Sequence, residues 1–264
     1  MSSGKKIYFL SDFHLGVPTA EKSLAREKQI IRFLESIEND AADIYLVGDI
    51  FDFWFEYKTV VPRGFIRLLG KLAQLSDKGI KLHLFTGNHD MWIFDYVPNE
   101  IGATLYRKPF EINLNGKSFL IGHGDGLGPG DRSYKLMKRF FASKACQFLF
   151  ARIHPNLGIG IANFWSRKSR MANQIRDQYY LGDDKEFITI YCNDTLKTKH
   201  YDFFVFGHRH HPMAFPLGPA ATYYNLGDWF NPQFKNAYYL QIDENKIDFI
   251  HFFYRLDDLS SLNV

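Results

Sequence analysis

The run Tyr45-Leu46-Val47-Gly48-Asp49 carries an apolar segment to a glycine and then to a carboxylate. A short apolar run of this kind predicts a buried strand, and the glycine and aspartate mark the loop at its end. Loops at strand ends are where a rigid sheet presents side chains to a ligand. Asp49 is therefore a candidate site residue, although the same order of residues is also a common exit from a strand.

Motifs of similar make-up occur on both sides of this run. They are Asp12-Phe13-His14, Gly87-Asn88-His89-Asp90, Gly122-His123-Gly124-Asp125 and Gly207-His208-Arg209-His210. Taken singly, the first is equally consistent with a turn, and Asn88 with a helix cap. The last is more informative, because residues 203–206 predict a buried strand that delivers two histidines together. Together the five motifs favour one common site.

The side chains of these motifs offer carboxylate oxygen, amide oxygen and imidazole nitrogen, with no thiolate among them. This mixture is typical of hard or borderline divalent ions such as Mn, Fe, Zn or Mg, and not of a structural zinc site. We therefore predict two adjacent metal sites that form a catalytic centre. The histidines outside the motifs are interpreted as structural: His83, His154, His200, His211 and His251.

The order of the motifs, from Asp12 to His210, resembles the calcineurin-like metallophosphoesterase superfamily. The resemblance implies two divalent metal ions, with Mn²⁺ expected and Zn, Fe or Mg as alternatives, because such ligands accept several ions. It also implies an α/β fold in which a two-sheet β-sandwich is flanked by helices. The implied ligands are Asp12, His14, Asp49 and His210 for the first metal, and Asp49, Asn88, His123 and His208 for the second.

Strand and helix patterns alternate along the first half of the chain, and strands dominate after His210. This order indicates an α/β body with mixed sheets. A turn at residues 113–117 is of the hairpin type. The hydrophobic periodicity predicts helices over 21–37 and 65–75, and strands over 7–10, 44–47, 80–85, 118–121, 203–206, 222–225, 237–242 and 247–253.

The interval between His123 and His208 is irregular, because these two ligands are 85 residues apart, whereas the first ligands of successive earlier motifs lie 35 to 39 residues apart. Apolar pairs at helical spacing recur in it from Leu136 onward. Residues 130–182 hold ten Lys and Arg against two Asp and Glu, whereas the rest of the chain holds 22 against 27. We predict one domain over residues 1–264 with a basic helical cap inserted at about 130–182.

The basic, aromatic-rich insertion has several interpretations. It could hold an anionic, partly apolar substrate, rest on anionic lipid, or bind nucleic acid. It could also be a solvated helical hairpin that packs its apolar face on the body. The absence of a second basic groove with interleaved aromatic residues disfavours nucleic acid.

Finer details resemble the family of UDP-2,3-diacylglucosamine diphosphatases of lipid A synthesis. The resemblance implies that a metal-bridging hydroxide cleaves the pyrophosphate of this nucleotide-lipid to UMP and 2,3-diacylglucosamine 1-phosphate. Substrate-binding residues would include Asn88, His89, Asp131 and Tyr134. The segments that carry the resemblance are residues 11–16, residues 48–54, His123-Gly124-Asp125 with Asp131 and Tyr134, the insertion, and Asn225-Leu226-Gly227-Asp228-Trp229.

His89 stands where the best-known members of that family carry arginine. It is predicted to be catalytic, either by giving a proton to the leaving group or by hydrogen-bonding a phosphate oxygen. Asp90 is predicted to assist by orienting the imidazole of His89. No serine lies in a recognisable nucleophile motif.

Composition favours a cytoplasmic enzyme. Cys146 and Cys192 do not make a disulfide framework, and the N-terminal apolar run is too short for a secretory signal. We expect peripheral contact of the cap with the anionic inner-membrane surface, and no obligate protein partner is evident. The alternatives are a metallophosphoesterase acting on another nucleotide or phosphodiester, and a non-catalytic scaffold, which is disfavoured because all seven ligands are present.

Overall fold

The computed structural model describes residues 4–130, 132–177, 182, 185–231, 235, 237–244 and 246–252, with only the backbone of 167–177. The strands are β1 (Lys6–Leu10), β2 (Ala41–Val47), β3 (Lys81–Phe85), β4 (Thr104–Tyr106), β5 (Phe110–Leu114), β6 (Lys117–Gly122), β7 (Phe203–Phe206), β8 (Met213–Leu217), β9 (Ala221–Asn225), β10 (Tyr238–Ile242) and β11 (Ile247–His251). The helices are α1 (Ala20–Ile37), α2 (Ile66–Asp77), α3 (Arg132–Phe141), α4 (Lys144–Phe150), α5 (Pro155–Asp177) and α6 (Phe187–Leu196), with a π-helical turn at Val97–Ile101.

The strands form two mixed sheets. The first has the order β11-β10-β1-β2-β3-β4, and its strands β1 to β4 are parallel. The second has the order β5-β6-β7-β9-β8, with β6, β7 and β9 parallel and antiparallel strands at both edges. The predicted α/β class is confirmed.

The two sheets pack face to face. Phe9 of the first sheet stacks on Tyr45 at 4.7 Å between ring centroids and on Phe119 of the second sheet at 6.4 Å. The outer face of the first sheet packs on α1 and α2, and the outer face of the second sheet packs on α6. Alternate residues of each strand serve the two faces, as in other sandwiches. The expected β-sandwich flanked by helices is thus observed.

The sandwich brings the five motifs to one edge. Strands β1, β2 and β3 run in parallel, as do β6 and β7, and in each case a motif follows the last residue of the strand. Ligand sites of open α/β sheets lie at the carboxyl ends of the strands for this reason. We call the segments after these five strands the ligand loops.

The predicted strands and helices are confirmed where the structure describes them, with boundaries shifted by up to three residues. The hairpin turn is also confirmed, because Asn115 and Gly116 both have left-handed backbone, with φ of 52° and 77°. For the strand predicted over 247–253 the structure has Ile247–His251, and Phe253 lies outside the described residues.

Strands β4, β5 and β8 and helix α6 were not predicted. Strand β4 has three residues, which is too short for periodicity, and β8 is an edge strand that contains Pro216. Helix α6 has the sequence FITIYCNDTL, whose β-branched and aromatic residues are more typical of a strand.

Helices α3, α4 and α5 occupy the span of the predicted insertion, and we call them the cap. Phe150 of α4 packs on Phe55 and Trp92 of the body, each at 4.7 Å between centroids. The cap carries exposed apolar side chains, among them Leu136 at 69% and Phe140 at 61% exposure. The division of the chain into one domain with an inserted cap stays a prediction. Within the described residues no helix combines the length and apolar character needed to cross a bilayer.

Candidate metal centre

The backbone of the ligand loops is unusual. Asp12, His14, Asp49, His208 and His210 have left-handed backbone, with φ between 44° and 69°. A positive φ is uncommon for residues other than glycine, and such strain persists where the surrounding structure imposes it, often at functional sites. Among the described non-glycine residues, only Phe65 and Asn115 share this conformation. The strain is therefore concentrated at the predicted ligands.

The glycines in front of the ligands let the loops approach each other closely. A Cβ added to Gly48, which has a φ of 86°, would lie 2.6 Å from Nδ1 of His123. A Cβ at Gly87 would lie 2.6 Å from the backbone nitrogen of Asp49. Neither position has room for a larger residue, so the repeated glycine is required by the packing of one loop on another.

The residues predicted for the first metal form one cluster. Nε2 of His210 lies 3.3 Å from Oδ1 of Asp12, and Nε2 of His14 lies 3.6 Å from the same oxygen. The two Nε2 atoms are 3.0 Å apart. Potential ligand atoms of these three residues all lie within 4.8 Å of one another.

The residues predicted for the second metal form an adjacent cluster. Nε2 of His123 lies 3.2 Å from Oδ2 of Asp49 and 3.3 Å from Oδ1 of Asn88. His208 completes the group, since its ligand atom lies within 4.8 Å of those of Asp49 and His123. Oδ2 of Asp49 also lies 3.7 Å from Nε2 of His14, which joins the two clusters. The structure thus brings all seven predicted ligands together.

The electrostatics of the clusters fit a cation. Burial disfavours ionised Asp12, but the imidazoles around it, His123 first, hold the pKa of its carboxyl well below its usual range. Burial likewise disfavours protonated His123, yet Asp49 and Asp12 raise its pKa to about 10. Oδ1 of Asp12 is buried without a hydrogen bond of normal geometry among the described residues. Buried carboxylates that collect positive charge in this way suit divalent metals.

Outer partners fix the ligands. Oδ2 of Asp12 accepts hydrogen bonds from the Ser11 hydroxyl and, at 3.0 Å, from the backbone nitrogen of His208. Nδ1 of His123 lies 2.9 Å from the carbonyl oxygen of Val47, which leaves Nε2 for a metal. The amide of Asn225 donates to the carbonyl oxygen of Gly207 at 2.6 Å. The ligand loops are therefore anchored by the body.

Asp90 does not orient His89, and that prediction is wrong. Oδ2 of Asp90 accepts a hydrogen bond from the backbone nitrogen of Ile50 at 2.8 Å, and Oδ1 accepts one from Gly87 at 2.7 Å. Buried backbone donors require such acceptors, so the carboxyl is committed to holding two ligand loops together. Burial and the neighbouring Asp49 raise the pKa of Asp90 to about 7.

The imidazole of His89 has other partners. Its Nδ1 lies 3.0 Å from the carbonyl oxygen of Asp52 and 3.6 Å from Oδ1 of the same residue. Ser166 of α5 lies 3.2 Å from this nitrogen. Burial lowers the pKa of His89 to about 4 in this metal-free arrangement. Asp52 therefore takes the place that the sequence analysis assigned to Asp90.

The remaining predicted substrate residues lie toward the cap. Tyr134, at the start of α3, donates a hydrogen bond to Oδ2 of Asp125 at 2.6 Å, and Nζ of Lys138 lies 2.6 Å from the same oxygen. Asp131 lies outside the described residues.

Arg209, between two predicted ligands, makes a two-pronged ion pair with Glu186, with both distances 2.9 Å.

Sequence reasoning missed several residues of this site. Asp52, whose Oδ1 lies 3.6 Å from Nδ1 of His14, belongs to a segment that carries the family resemblance but was not predicted as a site residue. Asp228, whose Oδ2 lies 3.9 Å from Nδ1 of His210, was likewise not predicted as a site residue. A carboxylate close in sequence to a predicted ligand histidine was an available signal for Asp52. Ser166 lies 114 positions from Asp52 along the chain, and nothing in the sequence connects them.

Several known proteins are similar to this chain. Residues 5–212 match the family of calcineurin-like phosphoesterases. A UDP-2,3-diacylglucosamine hydrolase of Porphyromonas gingivalis is 38% identical over 236 residues, which cover 85% of this chain and 90% of that protein. One of Histophilus somni is 26% identical over 249 residues, covering 93% and 100%. Among solved structures, the phosphoesterase Yfce of E. coli has a TM-score of 0.46 at 15% identity, covering 94% and 93%.

Proposed function

The chain belongs to the calcineurin-like phosphoesterase family, and from this premise we propose that it hydrolyses the pyrophosphate of UDP-2,3-diacylglucosamine. The products are UMP and 2,3-diacylglucosamine 1-phosphate. The observation that carries the proposal is the pair of clusters joined through Asp49 beside a basic, apolar cap. Such a site combines phosphoryl chemistry with a surface suited to an acylated substrate.

Seven residues would hold two divalent ions, for which we propose Mn²⁺. Asp12, His14, Asp49 and His210 would hold one ion, and Asp49, Asn88, His123 and His208 the other. When bound, such a pair lowers the pKa of water and neutralises phosphoryl oxygens during in-line displacement. The buried carboxylates and the imidazoles fixed by outer partners are suited to this task.

His89 acts on the substrate through Nε2, because its Nδ1 is committed to Asp52. Asn88 and His89 together bind the scissile phosphate. A neutral imidazole with a bound phosphate beside it becomes more basic, so His89 either donates a hydrogen bond to a phosphate oxygen or passes a proton to the leaving group.

The cap binds the acylated sugar. Its exposed apolar side chains offer area to acyl chains, and its lysines and arginines offer charge to phosphates and to anionic lipid heads. Asp131 and Tyr134 contribute polar contacts to the substrate. The same surface would contact the anionic inner membrane peripherally, because its lysines and arginines favour anionic lipid heads.

The test is release of UMP from UDP-2,3-diacylglucosamine by protein stripped of metal, measured before and after addition of Mn²⁺. We expect turnover only after the metal is restored. Metal-dependent cleavage of bis(p-nitrophenyl) phosphate without UMP release would keep the metal centre and overturn the substrate. Flotation with anionic liposomes at low salt tests the membrane contact, and liposomes of zwitterionic lipid are the control.

A further inference from the structure

Ser166 connects the cap with the reaction centre. It lies on α5 and is 9% exposed. Its Oγ donates a hydrogen bond to Oδ2 of Asp52 at 2.8 Å and lies 3.2 Å from Nδ1 of His89. A buried cap hydroxyl thus touches both the carboxylate and the imidazole that the body places beside the metal clusters.

The direction of these hydrogen bonds follows from the atoms involved. A hydroxyl has one proton, and here that proton points to the carboxylate oxygen of Asp52. Ser166 therefore presents a lone pair to Nδ1 of His89. The carbonyl oxygen of Asp52, 3.0 Å from the same nitrogen, also only accepts. Two acceptors around Nδ1 require that this nitrogen carries the proton, and Nε2 is left for the substrate.

Asp52 extends the connection to a predicted metal ligand. Its Oδ1 lies 3.6 Å from Nδ1 of His14 and 3.6 Å from Nδ1 of His89. A carboxylate between two imidazoles needs its second oxygen held if it is to keep both rings in place. The hydroxyl of Ser166 supplies that hold from the cap.

We propose that Ser166 is a positioning residue that fixes the tautomer and orientation of His89, so that turnover depends on the seating of α5 against the body. This inference rests on the proposed function in so far as His89 contacts the scissile phosphate. It goes further, because it makes a helix of the substrate-binding cap part of the support for the chemistry.

The first experiment reads the tautomer without any turnover. Long-range ¹H–¹⁵N spectra of the metal-free protein resolve the ring nitrogens of His89, assigned by their loss in His89→Ala. We expect the Nδ1-protonated tautomer in the wild type, and a shifted Nδ1 signal with a gain of the Nε2-protonated form in Ser166→Ala. Ring signals of His89 that are unchanged by the substitution would overturn the proposal.

The second experiment is a double-mutant cycle with Ser166→Ala and His89→Ala. Loss of a residue that holds a site side chain in place typically lowers activity about 10- to 100-fold. We expect Ser166→Ala to lower kcat roughly tenfold with KM nearly unchanged, and to have no further effect in the His89→Ala background. An equal loss in both backgrounds would mean that Ser166 serves the fold alone, and the proposal would be wrong.

Matched variants keep the test decisive. Ser36→Ala removes a hydroxyl from α1 of the body, where it donates to the carbonyl oxygen of Phe33 at 2.7 Å, and we expect its kcat to be unchanged. If Ser166→Ala lowers the melting temperature, Ser166→Thr and Ser166→Val are compared instead. Their side chains have nearly the same shape, and only threonine carries a hydroxyl. We expect the threonine variant to retain kcat and the valine variant to lose it. If UDP-2,3-diacylglucosamine is not cleaved, the cycle on bis(p-nitrophenyl) phosphate and the spectra decide this inference independently of the substrate.

Discussion

The ligand loops and the cap are held in opposite ways. In the loops, left-handed residues, close glycine contacts and the buried carboxyl of Asp90 lock the predicted ligands in place. In the cap, no residue of α3 or α4 is buried, whereas α1 of the body buries seven. Rigid loops suit chemistry that needs fixed distances, and an exposed apolar surface suits a ligand that supplies its own apolar chains.

Among the described residues, both aromatic and polar contacts join the two regions, and Phe150 of the cap packs on Phe55 and Trp92. The ring nitrogen of Trp92 donates to the carbonyl oxygen of Phe141 at 2.8 Å, and Lys138 pairs with Asp125. Ser166 reaches Asp52. Each of these contacts lies near a ligand loop, so the cap is held next to the candidate metal centre. We therefore expect damage to the loops to affect the chemistry. Damage to the exposed apolar face of the cap, away from Ser166, should affect substrate preference.

The largest expected effect is from His123→Ala, which removes a proposed metal ligand. Its ring nitrogens lie 2.9 Å from the carbonyl oxygen of Val47 and 3.2 Å from Oδ2 of Asp49. Loss of a residue that merely hydrogen-bonds a metal ligand already lowers activity about 10- to 100-fold. We therefore expect kcat to fall by more than roughly 100-fold. Metal content and turnover are measured on the same preparation. The control is His200→Ala, whose exposed side chain lies outside the motifs. Full activity with reduced metal would contradict the two-metal assignment.

The next effect is on stability. Gly48→Ala forces a Cβ into a left-handed position 2.6 Å from His123, and we expect a loss of about 3 kcal/mol in the free energy of unfolding. Gly70→Ala is the matched control, because it lies within α2 with nothing within 4 Å of the added Cβ. That change should stabilise by about 0.5 to 1 kcal/mol. The free energy of unfolding of both variants is measured with urea. Equal changes would show that the ligand loops do not pack closely around Gly48.

Metal affinity should depend on pH. In the metal-free centre Asp49 and Asp12 outweigh burial and raise the pKa of His123 to about 10, so this imidazole binds a proton at neutral pH. Metal binding must release that proton, and affinity therefore rises with pH below 10, by about tenfold per unit for each proton released. Titration calorimetry with Mn²⁺ between pH 6 and pH 8 measures the slope. A slope of zero would show that no proton competes with the metal.

The smallest effect tests the cap. Replacing Leu136 and Phe140 with Gln removes two exposed apolar side chains, so the free energy of unfolding should hardly change. We expect the KM for the acylated substrate to rise about fivefold, since part of their apolar area is lost to the ligand. The KM for bis(p-nitrophenyl) phosphate should stay constant. The control is Ile66→Gln, at an exposed apolar residue of the body. Equal changes in KM for both substrates would show that the cap does not recognise the acylated substrate specifically.

Much of the candidate site was predictable, because each predicted ligand follows a strand end and the strands were recognisable. The strand of residues 41–47 and the carboxylate of Asp49 belong to one short segment, so local sequence carried both. The partner of His89 was not predictable in the same way. The adjacent Asp90 was chosen, but its carboxyl serves backbone donors of two loops, while Asp52 takes the imidazole.

The sequence by itself determined most of the strand and helix order and the basic character of the insertion, and its resemblance to a known family implied the seven ligand candidates. These properties depend on residue type and spacing, which are local. Only the tertiary structure decided the left-handed backbone of the ligands, the pairing of Asp52 with His89 and the arrival of Ser166 from the cap. These depend on segments up to 196 residues apart meeting at one edge of the sandwich, and hydrogen bonds across such distances leave no periodic signal in the chain.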